Sequence, residues 1–294
     1  MVGTPDELIS WNAAILLKIP DCAKSCLAEP STATVESSCR TVANNDSVIN
    51  CVLNACTLSE AIFTRNVTAI ACAEPIKDKS QELLAIILSF GLVTSVLTTI
   101  RLIYKLVYGQ ERWRLGWDDL MVAAAAPVAI TGMALILRGL GKVGLGKSVW
   151  ALPADDMLAY GIELYFTEIM YLLALTMIKL TLTIFYMSIF PSKATSRLLW
   201  GTVIFHVTFG LAFIIKTIFQ CTPISYSWTR FDTARAGLVN GHCVQIGVSV
   251  WVHAAVNVAA DFWMIGIPLF EIRKLQLRRI QKIEVSLMFM TGFL

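Results

Sequence analysis

Beyond residue 80 the chain reads as long apolar stretches divided by short polar and basic ones. Leu83–Ile100 and Leu120–Leu137 are each 18 residues without a charge, and Leu198–Ile215 is another 18. Val244–Ala260 adds 17 and continues past Asp261 to Phe270. A further stretch, Met157–Phe190, is apolar but holds Glu163, Glu168 and Lys179. A helix needs about 20 mostly apolar residues to cross a bilayer, so five spans are predicted. Strand alternation over about ten residues, the mark of a membrane barrel, is not visible. Backbone groups in lipid must then be paired within each segment, which makes the spans helices. A sixth begins near Ile283 and runs Val285–Leu294, where the sequence stops. Ten residues reach roughly 15 Å, about half the hydrocarbon core, so the sequence is expected to be incomplete there.

The fold class that follows is all-α. Residues 1–80 form a small disulfide-rich helical extracellular module, and residues 81–294 form a polytopic helical membrane bundle of five full spans and a partial sixth. Composition agrees: 56% of residues are hydrophobic, 15% are charged, and the mean hydropathy is +0.66. Soluble domains carry about 25% charge, so disorder is excluded and the composition argues against an ordinary soluble α/β enzyme. A net charge of +3 is too small to point to nucleic acid.

Charge also sets an orientation. Arg101, Lys105, Arg112, Arg114, Lys193, Arg197, Arg273, Lys274, Arg278, Arg279 and Lys282 fall on one side of the spans, eleven in all. The other side has Arg138, Lys142, Lys147, Arg230 and Arg235. Positive charge marks the cytoplasmic face, which puts the N-terminus outside, as in a multi-pass plasma-membrane protein. Cys22, Cys26, Cys39, Cys51, Cys56 and Cys72 then lie outside, with glycosylation sequons at Asn45 and Asn66. Six cysteines in a short extracellular segment read as a disulfide framework with fifteen possible pairings. Cys221 and Cys243 flank an outer loop of 21 residues. A bridge between them would contribute about 3 kcal/mol and hold Trp228 and Phe231 over the outer mouth. Met1–Leu17 has no clean signal peptide; either the start is misassigned or the first span acts as the signal.

Candidate chemistry is sparse. Lys179 and Asp261 each sit near mid-span, where a charge costs at least about 2.5 kcal/mol. They are expected to face the bundle, either paired across two spans or in contact with water separately. Glu168 lies three turns from Lys179, and with Glu163 it is expected to line the outer mouth. His206 and His253 are lone mid-depth imidazoles, expected to serve as interhelical hydrogen-bond donors. Gly141–Ser148 reads G-K-V-G-L-G-K-S, formally a phosphate loop, but it lies between membrane helices on the outer side and is expected to be a turn. Without metal spacing among the histidines or a convergent nucleophile, neither a metal site nor an enzyme is expected. Arg273, Lys274, Arg278, Arg279 and Lys282 form a basic run suited to anionic inner-leaflet lipid or a cytoplasmic partner.

Two sets of residues carry a family resemblance. Pro20-Asp21-Cys22-Ala23-Lys24-Ser25-Cys26 resembles the opening of the CFEM domain, a fungal extracellular module of eight cysteines. Cys51, four residues, Cys56, fifteen residues and Cys72 match its last three cysteines, and Cys39 sits at the fifth. The third is absent, and Ser37 stands at the fourth. In haem-binding members an Asp between the third and fourth cysteines is the axial ligand. None lies between Cys26 and Cys39, and Asp46 fits only if Cys39 is taken as the third, so no cofactor is expected.

The second set is Trp117-Asp118-Asp119, Gly144-Leu145-Gly146-Lys147 before Trp150, and Lys179 with Phe185-Tyr186 and Phe190-Pro191. Phe219-Gln220-Cys221-Thr222-Pro223, Trp228, Gly241-His242-Cys243, Asp261 and Pro268 complete it. These residues resemble the fungal rhodopsin-like, receptor-like seven-helix proteins. Together the two resemblances imply a non-enzymatic plasma-membrane sensor of an extracellular cue, with a G protein as partner by family analogy alone. The alternative is extracellular capture or transport of haem or another small molecule.

Overall fold

The computed structural model describes residues 19–27, 46–72, 74–108, 117–190, 192–232 and 240–274. Cys39, Asn45, Arg278, Arg279, Lys282 and the sixth apolar segment lie outside the described residues. Of Arg273 and Lys274 the backbone alone is described. In chain order the helices are α1 (Asp21–Leu27), α2 (Asp46–Ala55), α3 (Leu58–Ala71), α4 (Ser80–Tyr108) and α5 (Trp117–Arg138). They continue as α6 (Ala154–Ile189), α7 (Lys193–Ile218), a single turn α8 (Tyr226–Thr229) and α9 (Ile246–Lys274). A two-residue strand pair, β1 (Cys221–Thr222) with β2 (His242–Cys243), accompanies the segment around α8.

The all-α expectation holds. Among the described residues five helices, α4 to α7 and α9, are long and apolar enough to cross a membrane. Helices α4, α5 and α7 outrun the apolar stretches that predict them at both ends, because helical hydrogen bonding continues through the polar flanks, whereas α6 stops one residue short of Phe190 and α9 starts two residues after Val244. The longest is α6, whose 36 residues extend about 54 Å at 1.5 Å per residue. Pro127 inside α5 and Pro268 inside α9 are tolerated, as prolines in spanning helices commonly are.

Two compact units divide the chain. The first comprises residues 1–108, 133–167 and 221–242; the second comprises residues 109–132, 168–220 and 243–294. The first unit contains the cysteine module. Cys22 and Cys26 are one turn apart on α1 and so share a face. They bridge to Cys56 and Cys51 respectively, clamping α1 to α2. The core beneath is small: Ile19, Ala23, Val52 and Ala61, with Leu27 and Val67 against it. Helix α3 starts on a capping box, in which Thr57 Oγ1 accepts from Glu60 N–H and Glu60 Oε2 accepts from Thr57 N–H. Cys72, Cys221 and Cys243 are disulfide-bonded as well.

The glycine-rich stretch is a turn, not a phosphate cradle. Gly139–Val143 closes as a π-helical turn, and Gly144 and Gly146 take φ of 78° and 91°. Gly146 packs so closely on the start of α4 that a Cβ would stand 2.8 Å from Ser80 Cα. The Lys79 N–H donates to the Gly146 carbonyl at 2.9 Å and the Ser148 N–H to the Lys77 carbonyl at 3.2 Å. Those bonds use the loop's polar groups internally. Asp78 beside it has its carboxyl held below the usual range, first by the Ser80 hydroxyl and then by the Ser80 N–H.

In the second unit, α6, α7 and α9 pack around Tyr186, Leu199, Met264 and Ile267. Gly210 lets α7 approach α6: a Cβ there would stand 2.4 Å from Thr176 Oγ1.

Candidate functional site

Lys179 on α6 and Asp261 on α9 lie together in the second unit, with Nζ 2.6 Å from Oδ1. Nζ also donates to the carbonyl of Asn257 at 3.0 Å, one turn before Asp261 on the same helix. The ammonium thus takes a side-chain and a backbone acceptor from one face of α9. The Lys179 side chain is 11% exposed and that of Asp261 37%. One turn on, Thr183 donates to the Lys179 carbonyl at 2.7 Å and lies 3.5 Å from Met264 Sδ. Thr195 on α7 donates to Glu271 of α9 at 2.9 Å, and Trp263 Nε1 donates to Thr202 at 3.1 Å. Neither pair is legible in the sequence, because Thr, Trp and a terminal Glu are ordinary span residues.

Beside the ion pair is a cavity of about 20 Å³, lined by Thr176, Lys179, His206, His253 and Asn257 among others. That is room for about one water. An ammonium has three donors, and Asp261 and Asn257 take two of them. Among the described residues His253 makes no interhelical hydrogen bond of the kind expected; its ring stacks on Phe209 with centroids 5.6 Å apart and tilts against Phe213 at 4.9 Å. His206 is buried, and its Nε2 has no hydrogen-bond partner among the described residues. It too departs from the expected interhelical bond.

Glu163 requires a correction. It is buried rather than lining an open mouth, because the π-helical turn after α5 folds over it, with Gly139 against its Cγ. Arg138 stands beside it, with Nε 3.9 Å from Oε2. Glu168 is half-buried on α6 and is not part of the Lys179 cluster. Trp228 and Phe231 pack on the N-terminal part of α6, where Gly161 makes room and Tyr165 and Tyr160 meet them edge-on at 5.4 and 6.1 Å.

The cysteine module brings together Cys22, Cys56 and Glu60, a geometry that could suit a metal. The two sulfurs are bonded to each other, so neither is a thiolate ligand. Asp46 is exposed at the first position of α2, where the helix dipole favours an acid. A groove of about 250 Å³ runs between α2, α3 and the Val149–Trp150 turn, walled by Ile49, Val52, Leu53, Ile62 and Trp150. Among the described residues that line it, none is of a type that ligates haem iron. Arg65 beside it lies over the Trp150 ring at 5.5 Å and pairs with Glu74.

Asn66, expected to carry a glycan, faces inward instead. It sits within α3 and its side-chain amide donates to the Trp150 carbonyl, so the nitrogen that a glycan would need is held internally. Mass mapping of peptides with and without deglycosylation should find Asn66 unmodified. Quantitative occupancy there would show that the Asn66–Trp150 bond is dispensable.

Five helices among the described residues that are long and apolar enough to cross a membrane mark a multi-pass α-helical membrane protein. Residues 100–294 match the family model of the Fungal rhodopsin domain, and the chain belongs to that family. It is 26% identical over 184 residues to a SAT4 family membrane protein of Emericella nidulans, covering 60% of this chain and 42% of that protein. It is 27% identical over 123 residues to the Satratoxin biosynthesis SC1 cluster protein 4 of Stachybotrys chartarum, covering 42% and 44%. The chain therefore spans under half the length of each of these relatives. No solved structure matches it.

Proposed function

We propose that the protein is a receptor-like, non-enzymatic plasma-membrane protein that senses an extracellular cue through its cysteine-rich module and helical bundle. The N-terminus and the Cys221–Cys243 loop are outside. The run Arg273, Lys274, Arg278, Arg279 and Lys282 faces anionic inner-leaflet lipid or a cytoplasmic partner. The role is supported above all by the Lys179–Asp261 pair, which joins α6 to α9 inside the membrane segment. A buried pair adds little net stability when compared with apolar residues, yet breaking it is costly. Such a contact suits an element with two packings, one of which a ligand must prefer if anything is to be transmitted.

The test compares transcript profiles of cells carrying the native chain or Lys179→Ala, at equal surface level, exposed to the same extracellular extracts. A response confined to the native chain is expected; identical responses would remove the receptor role. Extracellular capture is the second reading, favoured by the apolar groove of about 250 Å³ in the first unit. It predicts a stoichiometric small molecule co-purifying with native and Lys179→Ala chains alike, without any difference in transcripts.

A further inference from the structure

The cavity of about 20 Å³ beside the ion pair takes its lining from three helices of the second unit. Helix α6 supplies Thr176 and Lys179, α7 supplies His206 and Gly210, and α9 supplies His253 and Asn257. Tyr186 packs with Leu199, and Thr176 stands against Gly210, so α6 and α7 run antiparallel. The same register puts Lys179 level with His206. Gly210 is one turn after His206 on the same face of α7, and its missing side chain is what lets that face close on α6.

Two polar groups of that lining are incompletely bonded. Lys179 gives one ammonium proton to Asp261 Oδ1 and one to the Asn257 carbonyl, and among the described residues no acceptor takes the third. His206 is only 4% exposed, and its Nε2 has no partner among the described residues, Lys179 included. A buried polar atom left in that condition is destabilising until something pairs with it. Thr176 Oγ1 donates to the Leu172 carbonyl at 2.8 Å, which leaves its lone pairs able to accept. A water needs roughly 10–15 Å³ of cavity and two to four polar partners. Apolar cavities stay dry, whereas this one is lined by an ammonium, an imidazole, a hydroxyl and an amide.

We propose that this cavity binds one water molecule, which accepts the third proton of Lys179 Nζ and hydrogen-bonds to His206 Nε2, making His206 the α7 partner of the Lys179–Asp261 pair. Water fits because it has two protons and two lone pairs, and so meets either tautomer of the imidazole. Thr176 Oγ1 is the acceptor for a remaining water proton. A cation would be repelled by the ammonium, and an anion would have to share Lys179 with the Asp261 carboxylate. The direct bond joins α6 to α9, and the water brings α7 into the same contact. His206 is a positioning residue here: it holds the water, and the water completes the ammonium. The site rests on the cavity, the lysine and the histidine, and it stands whether or not the protein is a receptor.

The test uses the full chain in nanodiscs with nitrogen-labelled histidine, read by solid-state NMR. His206 is identifiable because His206-Val207 is the single His-Val pair in the sequence. Transfer of magnetisation from water protons to His206 Nε2 is expected in the native chain, and it should weaken in Lys179→Met/Asp261→Leu, where no ammonium holds the water. Melting gives an independent reading. His206→Leu should lower the midpoint of the native chain by about 3 °C, the worth of one buried hydrogen bond. In the Lys179→Met/Asp261→Leu background the same change should leave the midpoint unchanged or raise it, because there the imidazole is an unpaired polar group that leucine removes. His206→Gln, which keeps a donor and an acceptor, should recover part of the loss. A native chain without water transfer to Nε2 would overturn the proposal, as would an equal loss from His206→Leu in both backgrounds. A midpoint that shifts when chloride is exchanged for gluconate at constant ionic strength would assign the cavity to an anion and overturn it too.

Discussion

Lys179→Met is expected to destabilise the membrane unit by about 3 kcal/mol, and Asp261→Leu by a similar amount, whereas the two together should recover most of the loss. Each single change strands one charge at mid-span, and a lone charge at that depth costs about 2.5–3.5 kcal/mol. Lys179 feels this most, since its side chain is 11% exposed and, in the Asp261→Leu chain, the Asn257 carbonyl is the acceptor left to it. Asp261 keeps 37% of its side chain exposed, so any access to water would draw its penalty toward the low end. The double variant has no charge left to desolvate, and apolar replacement of a buried pair is often neutral or stabilising. Melting followed by size-exclusion chromatography in one detergent reads all four chains of this cycle. Additive losses would show that the two residues do not interact, and single variants as stable as the native chain would show that the pair contributes nothing. The recovered double variant is also the right one in which to ask about signalling. It separates a folded bundle without its charge contact from a misfolded one.

How much of this is legible in the sequence depends on what each residue type reveals. Spanning segments announce themselves, because 17 or 18 uncharged residues in a row, as four of the five have, have no other use, and all five are helices. Lys179 and Asp261 stand out for the complementary reason, being charges where charge is expensive. Their separation in space cannot be read, since it depends on how α6 and α9 rotate about their axes, and periodicity hardly constrains the rotation of a helix that is apolar all round. The Asn257 carbonyl is a backbone group and leaves no trace in the sequence.

Glu163 departs from its expected place for a related reason. Its depth along the helix is readable, but the turn from Gly139 to Val143 that covers it is tertiary structure. Asn66 belongs to a sequon by local pattern, while its inward direction is set by the Trp150 carbonyl, 84 residues away. Cysteine spacing exposes the module but not its wiring. Fifteen pairings fit the sequence, and the i, i+4 placement of Cys22 and Cys26 on α1 selects among them only once α2 lies alongside.

That wiring carries the second large effect. Removing either bridge, Cys22–Cys56 or Cys26–Cys51, by paired serine substitution should unfold α1 and loosen α2. The sequence separations are 34 and 25 residues. Loops of that size correspond to roughly 3.5 kcal/mol each in the chain-entropy account. The core they hold consists of Ile19, Ala23, Val52 and Ala61, two of them alanines, which is too little apolar area to compensate. Helix α1 has only seven residues, and a helix so short does not persist in water without its packing. Hydrogen exchange on the full chain in nanodiscs gives the local reading. Amides of α1 and α2 should lose protection in both variants, and those of α7 and α9 should keep theirs, because α7 and α9 belong to the second unit and neither of these bridges reaches them. Protection retained in α1 would mean that the four core residues suffice and that the bridges guard against something other than unfolding. Loss spreading into α7 and α9 would mean that the membrane unit depends on the module for its own stability, and a sensor in which the cap alone responds would then be ruled out.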